Sequence, residues 1–286
     1  MRRPRVGIDC RPIMGAKGGV GWHVYHLMHA MGHVQSDLEL VGYITPGTFD
    51  PNDLGDTLHG IQWVEAGKFG MKLRGRTDYL DLYHGTNFRV HTSGRFGAMV
   101  TIHDLWLERH PEYSPKFFGQ WLSSRKTKRI ASSVEKIVTV SHFSATEISA
   151  LYGRPIDQVA VVHNGVSNDF YAVDDRLLCQ RTLSSLGIGG RPYFLFVGGA
   201  DPRKNHGALL EAFKLFSREL NGYHVVLVGD SVHRFGDMLA TARRLGIESS
   251  VQCLGRVSQE QMRVLYSCAQ AFVFPSLYEG FGMPIL

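Results

Sequence analysis

Cysteine is scarce and scattered in this chain of 286 residues: Cys10, Cys179, Cys253 and Cys268 form no C-x-x-C pair and no zinc-ligand spacing. Nothing in that spacing signals a disulfide framework, and a reducing, cytoplasmic compartment fits best. No apolar run reaches the roughly 18 residues that span a bilayer, and the Met-Arg-Arg-Pro start leads into a strand-like segment instead of a signal-peptide core. A strict D-x-D pair is absent, so Asp50, Asp53 and Asp56 read as solvated loop residues and no metal is implied. The chain also lacks low-complexity tracts, evident repeats, a nucleic-acid recognition motif and the G-x-G-x-x-G of dinucleotide folds.

What is present is enough apolar material to bury full cores, with 44% hydrophobic and 20% charged residues. The net charge of +5 favours anionic partners such as nucleotide phosphates or an anionic membrane face. The length implies about two domains. Strand-like segments at 5–9, 38–44, 82–84, 98–102, 135–141 and 159–162 alternate with helix-like ones, and after a polar stretch at 168–176 the alternation restarts with strands at 193–197, 225–228, 251–254 and 271–274. This predicts an α/β fold of two Rossmann-like doubly wound domains facing across a cleft, at 1–170 and 171–286.

The strand ends carry the chemistry. A loop at 10–21, holding Gly15, Gly18, Gly19 and Gly21, precedes Val20, Val24, Leu27 and Met31 at helical spacing, which is the layout of a phosphate cradle. Two further strands each deliver a histidine where they finish, His84 and His103. In the second half Arg203 and Lys204 stand just before an amphipathic helix, so two cations and a helix N-terminus gather at one point and suit a diphosphate. The last strand runs into Glu279, Gly280, Phe281, Gly282 and Met283, a carboxylate with close-approaching amides that suits sugar hydroxyls. The segment 114–133 combines Phe117, Phe118, Trp121 and Leu122 with Arg125, Lys126, Lys128 and Arg129, which reads as a helix whose basic face is either solvated or rests on anionic lipid.

Seven segments in order carry a resemblance: GIDCRP at 7–12 with the Gly19–Gly21 loop, LYHG at 82–85, TIHD at 101–104, TVS at 139–141, NGV at 164–166, VG at 197–198 with DPRKN at 201–205, and PSLYEGFGMP at 275–284. Together they resemble the retaining GT-B glycosyltransferases of family 4 (group 1), and especially their mannosyltransferases. The resemblance implies transfer of a hexose from a nucleotide-diphosphate sugar to a saccharide or lipid-linked acceptor in polysaccharide biosynthesis, without cofactor or metal, with GDP-mannose the preferred donor and UDP-sugars next. It implies that Arg203 and Lys204 bind the diphosphate, that Glu279 holds sugar hydroxyls, and that amides from Gly280 to Met283 hold sugar and phosphate. His103 would stand beside the donor sugar, Gly19 and Gly21 near phosphates and acceptor, and His84 and Asp104 on the acceptor side. Many relatives carry arginine where Gly199 stands, which shifts charge neutralisation onto Arg203. The family's second glutamate would fall one position past Leu286, so the sequence reads as a fragment or a truncated product. An inactive remnant that binds nucleotide weakly or serves as an interaction module is therefore the alternative, with a nucleotide-sugar 2-epimerase a distant third.

Overall fold

The computed structural model describes residues 2–13, 18–34, 37–45, 60–65, 80–90, 96–113, 117–219, 222–229 and 235–286, with side chains omitted at 117–123. The expected loop aspartates at 50, 53 and 56, Gly15, and the aromatic part of the 114–133 helix lie outside those residues or side chains. The chain divides into two units, Met1–Asn164 and Gly165–Leu286, where the sequence reading placed the division at 170/171. The segment after Asn164 is tied to the second unit: Arg263 donates from Nη1 to the Asp169 carbonyl at 3.0 Å, and Val173 N–H donates to Ser267 Oγ at 2.9 Å.

In the first unit the elements follow as β1 (Arg5–Asp9), α1 (Gly19–His33), β2 (Glu39–Ile44), β3 (Gln62–Glu65), β4 (Leu82–Gly85), β5 (Gly97–Ile102), α2 (Trp106–Arg109), α3 (Phe117–Ser133), β6 (Lys136–Thr139), α4 (His142–Tyr152) and β7 (Val159–Val161). Their strands form one parallel sheet in the order β3-β2-β1-β4-β5-β6-β7. Parallel strands need crossovers that cover both faces, so the inner strands are largely apolar and buried on both faces instead of alternating, and β1 is buried from Val6 to Asp9. One set of buried side chains, with Ile8, Val24, Met28 and Ile44, packs α1 on the sheet; another, with Val100, Ile102, Ile130, Ile137 and Ile148, packs α3 and α4. Each fully buried side chain of this size contributes about 1.5–3 kcal/mol. The winding reverses between β1 and β4, where Ile8 stands opposite His84.

The second unit runs α5 (Arg176–Ser185), β8 (Tyr193–Gly198), α6 (His206–Phe216), β9 (His224–Gly229), α7 (Gly236–Leu245), β10 (Val251–Gly255), α8 (Gln259–Cys268) and β11 (Ala271–Phe272). Its sheet is parallel in the order β10-β9-β8-β11, with the reversal between β8 and β11. Helix ends follow local chemistry. Ser141 caps α4 by accepting Ser144 N–H, Ser258 and Gln261 form a capping box on α8, and α7 stops at left-handed Gly246 with φ 70°.

Two expectations are corrected here. The glycine loop is shorter than 10–21, because the helical run of Val20, Val24 and Met28 extends back to Gly19; Gly19 and the buried Gly21 lie in the first turn of α1, with extended Gly18 as its cap. The last strand pairs with β8 only through Ala271 and Phe272, although Val273 N–H still reaches the Leu195 carbonyl at 2.8 Å. The edge strand β3, the short helix α2 and the polar helix α5 were not anticipated.

Candidate functional site

Open parallel sheets place ligands outside the carboxyl ends of their strands, at the point where the winding reverses. Each unit has one such point, and the expected site residues collect at both.

In the first unit β1, β4 and β5 end side by side. Asp9, 2% exposed, closes β1 and takes both Arg11 Nε, at 2.7 Å, and Arg11 Nη2 on its carboxylate. Thr86 follows β4 and donates its hydroxyl to the Asp9 carbonyl at 2.5 Å, which ties the ends of the two strands together. His84, buried within β4, shares a 2.7 Å hydrogen bond between Nε2 and Thr101 Oγ1 on β5. His103 stands one residue beyond β5, and its Nε2 lies 2.9 Å from the Thr86 carbonyl. A carbonyl oxygen only accepts, so Nε2 carries the proton and Nδ1 of neutral His103 keeps its lone pair. Asp104 turns to its own chain and accepts Trp106 N–H at 3.2 Å at the start of α2.

A third imidazole joins them that sequence reasoning missed. His23 on α1 meets the His103 ring edge-on, with centroids 4.8 Å apart, and its Nδ1 is 2.8 Å from Asn164 Oδ1. Burial is the first cause pushing His84 and His103 down to about 4, and the proximity of His23 lowers both further. His23 itself is lowered by burial against the opposing bond to Asn164. All three rings are therefore neutral at physiological pH and offer lone pairs and N–H groups, not positive charge.

In the second unit the loop after β8 and the loop after β11 are stitched together. Asp201 accepts Arg203 N–H at 3.0 Å and lies 3.4 Å from Arg203 Nε, so the first expected phosphate cation has a carboxylate beside it. The Arg203 carbonyl accepts Leu277 N–H at 2.7 Å, and Asn205, held at φ 55°, donates Nδ2 to the Pro275 carbonyl at 3.2 Å. The second expected cation, Lys204, is buried and donates Nζ to Glu279 Oε1 at 2.6 Å, with the Phe274 ring centroid 5.1 Å from the ammonium. Sequence reasoning gave Lys204 and Glu279 separate tasks; the structure makes them partners. Gly280 and Gly282 are both buried, and Gly282 takes φ 91° before the turn Met283–Ile285, where Met283 is exposed. His206 opens α6 beside this loop, buried edge-on against Phe196 at 4.7 Å.

On α3, Arg125, Lys126, Lys128 and Arg129 are exposed. No helix among the described residues is long and apolar enough to cross a membrane.

The sequence model of Glycosyltransferase Family 4 matches residues 17–170, and that of Glycosyl transferases group 1 matches residues 182–286. The O-antigen chain mannosyltransferase B of Escherichia coli is 34% identical over 212 residues, which cover 73% of this chain and 55% of that protein. The O-antigen chain mannosyltransferase RfbU of Salmonella typhimurium is 26% identical over 187 residues, 65% of this chain and 47% of that one. The chain thus spans about half the length of these two curated relatives. Among solved structures, sucrose-phosphate synthase from Thermosynechococcus elongatus is similar with a TM-score of 0.74 at 16% identity, over 99% of this chain and 78% of that one. The Anabaena protein HepE, in complex with UDP and glucose, gives 0.75 at 16% identity, over 99% and 77%. At that identity the likeness is one of fold, the GT-B pair of Rossmann-like units.

Proposed function

Because the chain belongs to glycosyltransferase family 4, we propose that it serves as a retaining hexosyltransferase, moving mannose from GDP-mannose to a saccharide or lipid-linked acceptor in polysaccharide assembly. The single observation that carries this reading is the Lys204–Glu279 pair at the winding reversal of the second unit, 2.6 Å apart and backed by the N-terminus of α6. The names of the mannosyltransferase relatives support the sugar, and the nucleotide in the HepE structure supports a nucleoside diphosphate as the carrier.

In this reading the donor's phosphates compete with Glu279 for the Lys204 ammonium, and the released carboxylate accepts hydroxyls of the sugar. Arg203, Lys204 and the amides from Gly280 to Met283 carry the charge that grows on the leaving diphosphate, with no metal assigned. Retention by a double displacement requires a carboxylate nucleophile, as in retaining glycosidases. Glu279 is assigned to the sugar's hydroxyls, so the reading follows a same-face route. The acceptor oxygen bonds to the anomeric carbon as the phosphate oxygen leaves from that face, and the departing phosphate takes the acceptor's proton. Neutral His103 and His23 contribute hydrogen bonds to hydroxyl groups. His84 and Asp104 support the acceptor side through the strand ends, Gly19 and Gly21 contribute the close-approaching first turn of α1, and the exposed cations of α3 fit peripheral contact with an anionic cytoplasmic membrane face.

A panel of nucleotide sugars tests the proposal. GDP-mannose is expected to raise the melting temperature and to be hydrolysed slowly to mannose and GDP, ahead of UDP-sugars, and NMR of a transferred product is expected to show a retained anomeric configuration. Absence of any nucleotide-dependent thermal shift, or an inverted product, overturns it.

A further inference from the structure

Two thiols outside either strand-end site meet in the second unit. Cys179 lies on α5, and Cys268 is the last residue of α8. α5 packs along α8, which brings the Cys179 and Cys268 side chains close enough to act on each other electrostatically. The chain before α5 fixes this approach. The Val173 carbonyl accepts Cys179 Sγ–H at 3.7 Å while Val173 N–H donates to Ser267 Oγ at 2.9 Å, so one residue is tied both to Cys179 and to the neighbour of Cys268. Both thiols are half-buried, within reach of a small reagent, and neither takes part in the proposed transfer.

We propose that Cys179 and Cys268 form a dithiol modification site, closed to a disulfide by a small-molecule disulfide such as glutathione disulfide, which staples α5 to α8. Closure places an S–S bond of about 2.05 Å between the two sulfurs. Cys179 thiolate attacks one sulfur of glutathione disulfide, that S–S bond breaks, and one glutathione thiolate leaves. Cys268, once deprotonated, attacks Cys179 Sγ, and the second glutathione leaves as the intramolecular bond forms. The two thiols lose two protons and two electrons; the reagent is reduced to two glutathione molecules. Burial, and then the neighbouring Cys179 side chain, push the Cys268 thiol up to about 12, so it is slow to ionise. It reacts second, and closure accelerates as pH rises.

The test is incubation of the folded chain with glutathione disulfide, followed by alkylation under denaturing conditions, intact mass measurement and peptide mapping. The expected product has lost two hydrogens, retains no glutathione, yields a Cys179–Cys268 cross-linked peptide, and leaves Cys10 and Cys253 alkylated. The C268S variant is expected to stop at a glutathione adduct on Cys179. Complete alkylation of both cysteines in the wild-type chain, glutathione retained on either, or pairing with Cys10 or Cys253 overturns the proposal. These readouts on the wild-type chain decide the matter even where C268S fails to fold.

Discussion

Lys204 and Glu279 are 75 positions apart in the chain, and their charged atoms are 2.6 Å apart in the fold. Their side chains are only 10% and 19% exposed, so removing one partner leaves the other charged in a poorly hydrated place. Lys204→Met or Glu279→Leu alone is expected to lower stability by about 3 kcal/mol in urea unfolding, while the double variant recovers most of that loss. Singles that match the wild-type chain would show the pair to be energetically idle. Function should separate from stability: Lys204→Ala is expected to cut transfer by about a hundredfold, and the stable double variant to stay inactive.

The imidazoles predict how stability changes with pH. His84 and His103 titrate near 4 in the folded chain against 6.5 for the ordinary group. Between those values the unfolded chain binds more protons, so the stability present above pH 6.5 is lost as pH falls toward about 4. The two rings repel when charged, so the joint loss is a few kcal/mol and less than the sum of separate shifts. Urea midpoints measured from about pH 7 down to about pH 5 are expected to fall, and His84→Gln to flatten that fall. A midpoint independent of pH in the wild-type chain would contradict the buried neutral rings.

Much of the fold was legible in the sequence because its main strands are buried on both faces and therefore read as unbroken apolar runs, as in the HVVLVG of β9. Caps at Ser141, Gly246 and Ser258 announced three helix ends. β3 escaped because it is a four-residue strand at the sheet's edge that, among the described residues, pairs with β2 alone. α5 escaped because it buries no residue fully, and its apolar residues divide between Leu183, which packs on the core, and Leu177, which is 64% exposed; Asp175 at its N-cap was a local signal. In the candidate site, single residues at strand ends were legible but pairings were not. Lys204 meets Glu279 only because β11 lies beside β8, and His23 meets His103 only because the fold brings the first turns of α1 to the residue that follows β5, with Asn164 after β7 reading as no more than a tight turn.

Asn164 is expected to control the charge of His23. Its side chain favours the protonated ring against burial. Asn164→Ala should therefore lower the His23 pKa further, and Asn164→Asp, which places a carboxylate at the same distance, should raise it by about one unit or more. Nitrogen chemical shifts of the imidazole followed through a pH titration report both. Identical titration curves in the two variants would mean that the bond to Asn164 does not hold in solution.

Two glycines separate what the fold requires from what the proposed reaction requires. A Cβ at Gly85 would stand 1.8 Å from the Arg89 carbonyl oxygen, and backbone cannot swing aside as a flexible side chain does. Gly85→Ala is expected to lose about 2–3 kcal/mol of stability. At Gly19 an added Cβ meets nothing within 4 Å, and the residue already sits in the first turn of α1, so alanine fits the fold and leaves stability unchanged or raises it by about 0.5 kcal/mol. If the first turn of α1 approaches the donor phosphates and acceptor, the extra methyl stands where substrate must come close. Gly19→Ala is then expected to retain the wild-type melting temperature while transfer falls by about tenfold or more. Full turnover in that stable variant would remove Gly19 from the site and leave it a helix-start residue only.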